Sequence, residues 1–409
     1  MDSYDFIANW RLVKGLFADA WAVLRNKARP QQLMLHYHRA FMVILGIYPN
    51  KKMLSNGVYK TVHYFILLNI TLFLIPVLCG AYEWNNAIDM GGDFVWIIGI
   101  SLILTKMWYV HFRADEIDNV IKNFDSYYTN AQSKTIDPII LGWERFCFLI
   151  EIGLLSSSIV ILLFFYLAIC VPPLFTDQEL VYHAIYPFEW HRPEKHPTTH
   201  MIIYVLQTIT SWHNLMSILQ IELLGIHIML QTTLNLKILC IEIRSLGELE
   251  GGDQIFHMKF CRVVKLHQHL IRTVEKCNSV FYGSFVTHLI ASFALISVST
   301  FETLVSADDP KESAKFLLFV IVAFLQLSFW CVTGNTVCVQ SLEVAEAAFD
   351  IKDWHTKSVD IQRNIMFVIQ RGQHPLIFVA KPFLPFTLVT YTMVLKQCFS
   401  ILALLRETI

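Results

Sequence analysis

Four ionisable residues stand inside runs that are otherwise apolar for about twenty residues: Lys106, Glu151, Glu222 and Lys396. A charge in a bilayer-length run is costly, so each is a functional position by default unless its stem can carry the charge to the membrane edge. Lys106 and Glu222 fall near the ends of their runs and are read as snorkelling, structural charges. Glu151 lies five residues into its run and is read as interfacial rather than as a ligand contact. Lys396 lies deeper, and two readings stay open: a side chain facing water in a pore, or one that snorkels or pairs within a bundle. Beyond it Arg406 and Glu407 end the same run, where an acid either concentrates cations at a pore mouth or simply solvates a helix end. His183, His191, His196 and His200 crowd the Pro-rich segment 172–200. Four histidines can bind metal, but no His-x₃-His pair falls on a predicted helix, and a polar cap over the helix ends is the plainer reading. The nine cysteines form no CxxC pair and sit mostly in apolar blocks, as small buried hydrophobes do.

No Walker A loop, GxGxxG, HExxH or GxSxG appears, so no enzyme and no cofactor is expected. No carboxylate pair lies within one run and the two halves show no repeat, which speaks against a transporter.

The elements that must carry these residues follow from composition. Hydrophobic residues make up 55% of the 409-residue chain and charged residues 16%, and they come in long blocks rather than in the short periodic runs of a soluble domain. The near-zero net charge gives no hint of a nucleic-acid partner. The opening MDSYDFIANW has acids and aromatics where a signal peptide needs a basic start and an apolar core. Seven stretches are long enough to span: 61–82, 94–112, 146–171, 201–221, 277–301, 316–342 and 382–405. The fold class is therefore an all-α membrane protein with seven transmembrane helices.

Orientation follows from Lys and Arg. Residues 1–60 hold nine, 106–145 five, 237–276 seven and 352–381 five, whereas the alternate loops and the C-terminal end hold five altogether. The first group should face the cytosol, with the N-terminus inside and the C-terminus outside, inverted relative to G-protein-coupled receptors. The sequon Asn69-Ile-Thr71 lies within a span and is consistent with this. Residues 4–28 have helical apolar spacing between basic residues, and either an interfacial helix or a contact with the bundle satisfies it. The fourth span should continue to about Arg244, with a turn over 246–253. The stretch 254–276 should run straight into the fifth span, and 353–371 should form a helix cut off from the last span by Gly372, Pro375, Pro382 and Pro385. Such extensions must bury their apolar faces against each other or against other subunits. The chain divides into a cytosolic amphipathic region (1–60), spans one to four (61–240), a cytosolic turn with spans five and six (241–350), and an anchor helix with the last span (351–409).

The last sixty residues resemble the insect odorant receptor family. The resemblance rests on Phe349-Asp-Ile-Lys-Asp-Trp354, Arg363-Asn-Ile-Met366, Gln370-Arg-Gly-Gln-His-Pro375 and the final helix Tyr391-Thr-Met-Val-Leu-Lys-Gln-Cys-Phe-Ser400. Weaker matches are Leu45-Gly-Ile-Tyr-Pro49, Leu104-Thr-Lys-Met107 and Asp115-Glu-Ile-Asp118. Gustatory receptors carry Thr-Tyr, five residues, then Gln-Phe; here Cys398 interrupts that signature between Gln397 and Phe399. The second cytosolic loop lacks the coreceptor's long insert, so the chain resembles a ligand-tuning subunit. The resemblance implies an odorant-gated, non-selective cation channel, a tetramer with the coreceptor, in the plasma membrane of olfactory dendrites. It also implies a hydrophobic gate at Leu404, Glu407 where the family usually has glutamine, a further gate position at Thr408, and Lys396 facing the bundle or a partner. A G-protein-coupled receptor would need the opposite orientation, and no Asp-Arg-Tyr or Asn-Pro-x-x-Tyr motif is present.

In this family the ligand pocket lies in the outer half of the bundle, among spans two, three, four and six. That implies a small hydrophobic volatile held by apolar burial with a few hydroxyls and amides. The candidates are Phe94, Ile97 and Ile98; Leu155, Ser156 and Ile159; Thr208, Ser211 and Trp212; and Phe319, Ala323, Gln326 and Leu327. Ordinary helix packing explains each of them equally well.

Overall fold

The computed structural model describes residues 6–25, 31–48, 51–81, 87–131, 138–171, 180–248 and 253–407. Among them are thirteen α-helices and no strand beyond one isolated bridge between Val379 and Pro385. In chain order they are α1 (Phe6–Leu24), α2 (Gln31–Ile44), α3 (Lys51–Leu54), α4 (Gly57–Gly80), α5 (Ala87–Phe112), α6 (Ala114–Ala131), α7 (Pro138–Cys170), α8 (Pro197–Arg244), α9 (Asp253–Val280), α10 (Tyr282–Val305), α11 (Pro310–Phe349), α12 (Val359–Gly372) and α13 (Leu388–Glu407). Six are long and apolar enough to cross a membrane (α4, α5, α7, α8, α10 and α11), and α13 adds a shorter apolar helix over Leu388–Leu404. The chain is a multi-pass membrane protein.

Local sequence sets the helix starts. The Asn56 side chain accepts from the Val58 and Tyr59 amides to begin α4, and Asp309 accepts from Lys311 and Glu312 ahead of Pro310 to begin α11. Pro197 opens α8, so His200 lies inside that helix with His196 as its cap. α8 is the axis of the bundle: 78% of its most apolar window is buried, against 18% for the outer helix α7. It runs unbroken to Arg244 as its periodicity predicts.

Several boundaries differ from the sequence reading, three of them with local causes or consequences. The fifth span is not continuous with the stretch before it, because α9 ends at Val280 and α10 begins at Tyr282. Phe281 bends the chain (φ −100°, ψ 11°) while hydrogen bonds to Cys277 and from Phe285 continue on either side. The bend brings Gly283 so close to the Tyr109 ring that a Cβ there would lie 2.4 Å from it. The last span begins at Leu388 rather than Pro382, since Pro382 and Pro385 hold the preceding residues in non-helical backbone, where Phe386 N–H donates to Phe378 C=O. Residues 354–356 form a separate 3₁₀ turn ahead of α12.

The amphipathic α1 lies against the bundle with one face and leaves the other open. Leu16, Ala20 and Val23 join a buried cluster with Met34 and Tyr37 of α2 and Phe148 and Leu155 of α7, whereas Phe6, Ile7, Trp10 and Trp21 are exposed. On the side carrying the basic loops, Tyr48 donates to Asp118 Oδ1 at 2.5 Å, Arg39 lies 3.7 Å from the same oxygen, and Lys122 pairs with Oδ2. Burial alone would raise the Asp118 pKa; the hydrogen bonds from Lys122 and Tyr48 overcome it and hold the carboxyl below its usual range. Two of the weaker family-like motifs therefore meet through one hydrogen bond.

Candidate ligand cavity

Two adjoining cavities of about 130 Å³ and about 180 Å³ lie inside the bundle and share Gly99, Ile103, Leu162, Leu215, Leu295 and Val322 as common wall. The upper one is enclosed by Phe73 of α4, Trp96 of α5, Tyr166 of α7, Ser211 and Asn214 of α8 and Phe319 of α11, with Tyr182 from the loop before α8. The lower one continues past Ser158, Ile218 and Leu325 to a floor formed by Glu222, Gln326 and Trp330. Their walls are almost wholly apolar, as a site that binds by removing hydrocarbon from water requires.

The loop closes the upper end because its backbone is tied into the helix mouths. Val181 N–H donates to Gln207 Oε1 at 3.1 Å, Ile185 N–H donates to Pro76 C=O at 3.0 Å, and His183 Nδ1 lies 3.0 Å from Asp93. Tyr182 is thereby pressed between Phe73 and Trp96, with ring centroids 4.9 and 5.1 Å away. Burial holds its phenol far above the usual pKa, so it enters the site as a neutral hydroxyl, beside Ser211. The Asn214 Oδ1 is buried without a hydrogen-bond partner. It can accept a hydrogen bond.

The floor is built from the charges that the sequence reading placed at the membrane edge. Lys106 and Glu222 do not snorkel: Lys106 is 1% exposed and donates to Glu222 Oε1. Gln326 donates to the same oxygen at 3.1 Å, Trp330 donates to Oε2, and His288 Nδ1 lies 3.2 Å from the Lys106 ammonium. The ammonium also sits 5.5 Å above the Trp330 ring, within cation–π range. Residues 106 and 222 are joined only in the fold, through α5 and α8, which no spacing along the chain reveals. Glu151 is likewise buried, at 3% exposure, between His227 and His38 rather than at an interface.

Of the sequence candidates, Ser211 and Phe319 line the upper cavity and Gln326 the lower. Trp212 stands behind the upper wall, edge-on to Tyr166 at 5.1 Å, and Ile97 packs with the same outer cluster. Leu155 and Ile159 pack against α1 and α2, Ala323 and Leu327 belong to the main core, and Phe94 is 38% exposed. Ile98, Ser156 and Thr208 are half-buried outside both cavities, and Thr208 bonds back to Tyr204 C=O. The sequence reading missed Trp96, Tyr166, Tyr182 and Asn214; a helix-face assignment from α5 and α8 periodicity would have offered Trp96 and Asn214, but nothing local marks Tyr182 as a lid.

Lys396 is exposed on this chain and Leu404 is 63% exposed. Glu407 ends α13, its side chain lies outside the described part, and Thr408 lies outside the described residues.

A family model described as 7tm Odorant receptor matches residues 86–399. Odorant receptor 47b of Drosophila melanogaster is 48% identical to the chain, with 100% of each covered, and odorant receptor 65a of the same species is 31% identical over 98% and 97%. The solved structure of the insect olfactory receptor OR5 from Machilis hrabei in complex with eugenol aligns at a TM-score of 0.79 and 12% identity, covering 93% of this chain and 99% of that one.

Proposed function

The chain belongs to the insect odorant receptor family, and from that premise we propose that it is the tuning subunit of an odorant-gated, non-selective cation channel. It binds a small hydrophobic volatile in the joined cavities and assembles with the family's coreceptor, as a tetramer, in the plasma membrane of olfactory dendrites. The observation that carries the ligand reading is the apolar cavity beneath Tyr182, with one unpartnered amide oxygen at Asn214. Eugenol, the ligand named for the Machilis receptor, belongs to the same chemical class: largely apolar, with a hydroxyl that such an acceptor can take.

The Lys and Arg distribution supports a cytosolic N-terminus, an external C-terminus and an intracellular anchor built from α9, α12 and the inner ends of α8 and α11. A route from ligand to pore is supported by contiguous packing. Trp330, on the cavity floor, packs in a tilted arrangement against Phe386, ring centroids 5.2 Å apart, and Phe386 sits two residues before α13. Phe386 fits against Gly334 so closely that a Cβ there would lie 2.3 Å from its carbonyl oxygen. A ligand that shifts Trp330 thus displaces the base of the last helix. That helix buries Thr390, Val394 and Cys398 and leaves Val389, Met393, Lys396 and Phe399 uncovered by its own chain, which suits a helix that lines a pore with other subunits and carries its gate at Leu404, Glu407 and Thr408.

Co-expression with a coreceptor and recording across a panel of volatiles tests this. Ligand-evoked cation current that needs both chains is expected. Current without a coreceptor overturns the tuning-subunit reading, and second-messenger signalling with no current overturns the channel reading.

A further inference from the structure

His38 of α2, Glu151 of α7 and His227 of α8 meet in the bundle interior, and we propose that they form a divalent transition-metal site, zinc being the ion their donor set fits best. Each residue offers one ligating atom, and all three atoms lie within 4.8 Å of one another. Glu151 Oε2 is 2.8 Å from His227 Nδ1 and 3.6 Å from His38 Nε2, and the imidazole rings stand 5.3 Å apart. Two imidazoles and one carboxylate are a common zinc set, and ligands at zinc bond lengths in a tetrahedron stand about 3.3 Å from each other. The observed separations straddle that figure, so small side-chain rotations suffice to admit an ion.

A second observation also points to a ligand. The three residues are 2–3% exposed, yet His38 Nε2 has no hydrogen-bond partner, its carboxylate neighbour lying too far away for one. Gln220, two turns before His227, brings its buried carbonyl oxygen towards His38. Uncompensated acceptors of this kind are costly in a low-dielectric interior, and an ion at their centre satisfies them together. The carboxylate offsets one of the ion's two charges, and water or the Gln220 oxygen completes four-coordination. The site lies apart from the odorant cavity, whose walls include none of these residues. It would fasten the N-terminal α2 to the third and fourth long apolar helices.

The test uses the full-length receptor in nanodiscs, stripped with chelator and titrated with Co²⁺ as a spectroscopic stand-in. Binding of one ion per chain is expected, with visible absorption of the intensity given by four-coordinate nitrogen–oxygen ligation and displacement by Zn²⁺. His38→Gln and His227→Gln should each weaken binding at least tenfold, while His191→Ala in the outer loop should leave it unchanged. A stripped wild-type receptor that takes up no Co²⁺ with this spectrum overturns the site, whatever the variants do. So does a spectrum that survives in the two histidine variants, or one that disappears with His191→Ala. None of these outcomes touches the odorant reading, because none of the measurements depends on ligand-evoked current.

Discussion

Phe319 separates ligand contact from packing better than any other candidate, since it lines the upper cavity and stands edge-on to Trp96 at 5.6 Å. Phe319→Ala removes apolar contact from the bound state, and each 1.4 kcal/mol lost is a tenfold change in affinity. A rise in half-maximal odorant concentration of about tenfold or more is expected with surface expression retained. Trp212→Ala, one residue behind the wall, should shift potency less; equal shifts in paired dose–response curves would show that the wall is not where the geometry puts it. At the floor, Glu222→Gln leaves the Lys106 ammonium buried beside a neutral amide. Removing one partner of a buried pair typically costs about 3–5 kcal/mol, so the variant should melt well below wild type in a thermal unfolding assay. The sequence displayed both charges but not their pairing. Hydropathy locates a residue along its own helix, whereas its neighbour is set by which helices pack together and at what rotation.

Among the elements, α9 carries its own acid sensitivity. His267 of α9 is 6% exposed, and burial, helped by the nearby Arg371 cation, lowers its pKa to about 4. Its native pKa lies below the unfolded value, so the unfolded state takes up more protons between about pH 6.5 and 4. Stability is therefore full above that window and falls as pH drops through it, by up to about 3 kcal/mol. His267→Asn should flatten this slope in melts taken across the same range. A wild-type midpoint that stays constant from pH 7 to 4.5 would count against it. The helices themselves were largely legible: the α8 extension to Arg244 and the separate α12 follow from periodicity and from Gly and Pro placement, while most of the turn expected over 246–253 lies outside the described residues. The break at Phe281 was not, because no proline or glycine stands at that residue; the bend answers to the approach of α10 to Tyr109 on α5, a tertiary constraint.

At the scale of the whole molecule, the proposed channel places its pore in an assembly rather than in one chain. With Glu407 at the mouth, Glu407→Gln in receptors co-expressed with coreceptor should lower divalent relative to monovalent permeability, read from reversal potentials after ion substitution; an unchanged ratio argues against that position. The family was legible in the C-terminal block because those residues pack tightly together: Asn278 donates to Ile377 C=O and accepts from Val379 N–H, and Ser341 Oγ accepts from Leu376 N–H. The cavity was legible only as a region, since wall and core residues are chemically alike. The shared wall of the two cavities has one more consequence. A ligand that occupied both sides of it would lie in a space long rather than round, with a phenol at one end and a charge cluster at the other, and its fit would gauge molecular length. In a homologous series with one polar head, each added methylene contributes about 0.8 kcal/mol, or roughly a fourfold gain in potency. That gain should continue until the tail meets the Trp330 ring, and the next carbon should then lose activity abruptly, since further growth must break the Lys106–Glu222 pair. A potency profile that rises and falls smoothly with chain length would show that the two chambers are not used as one.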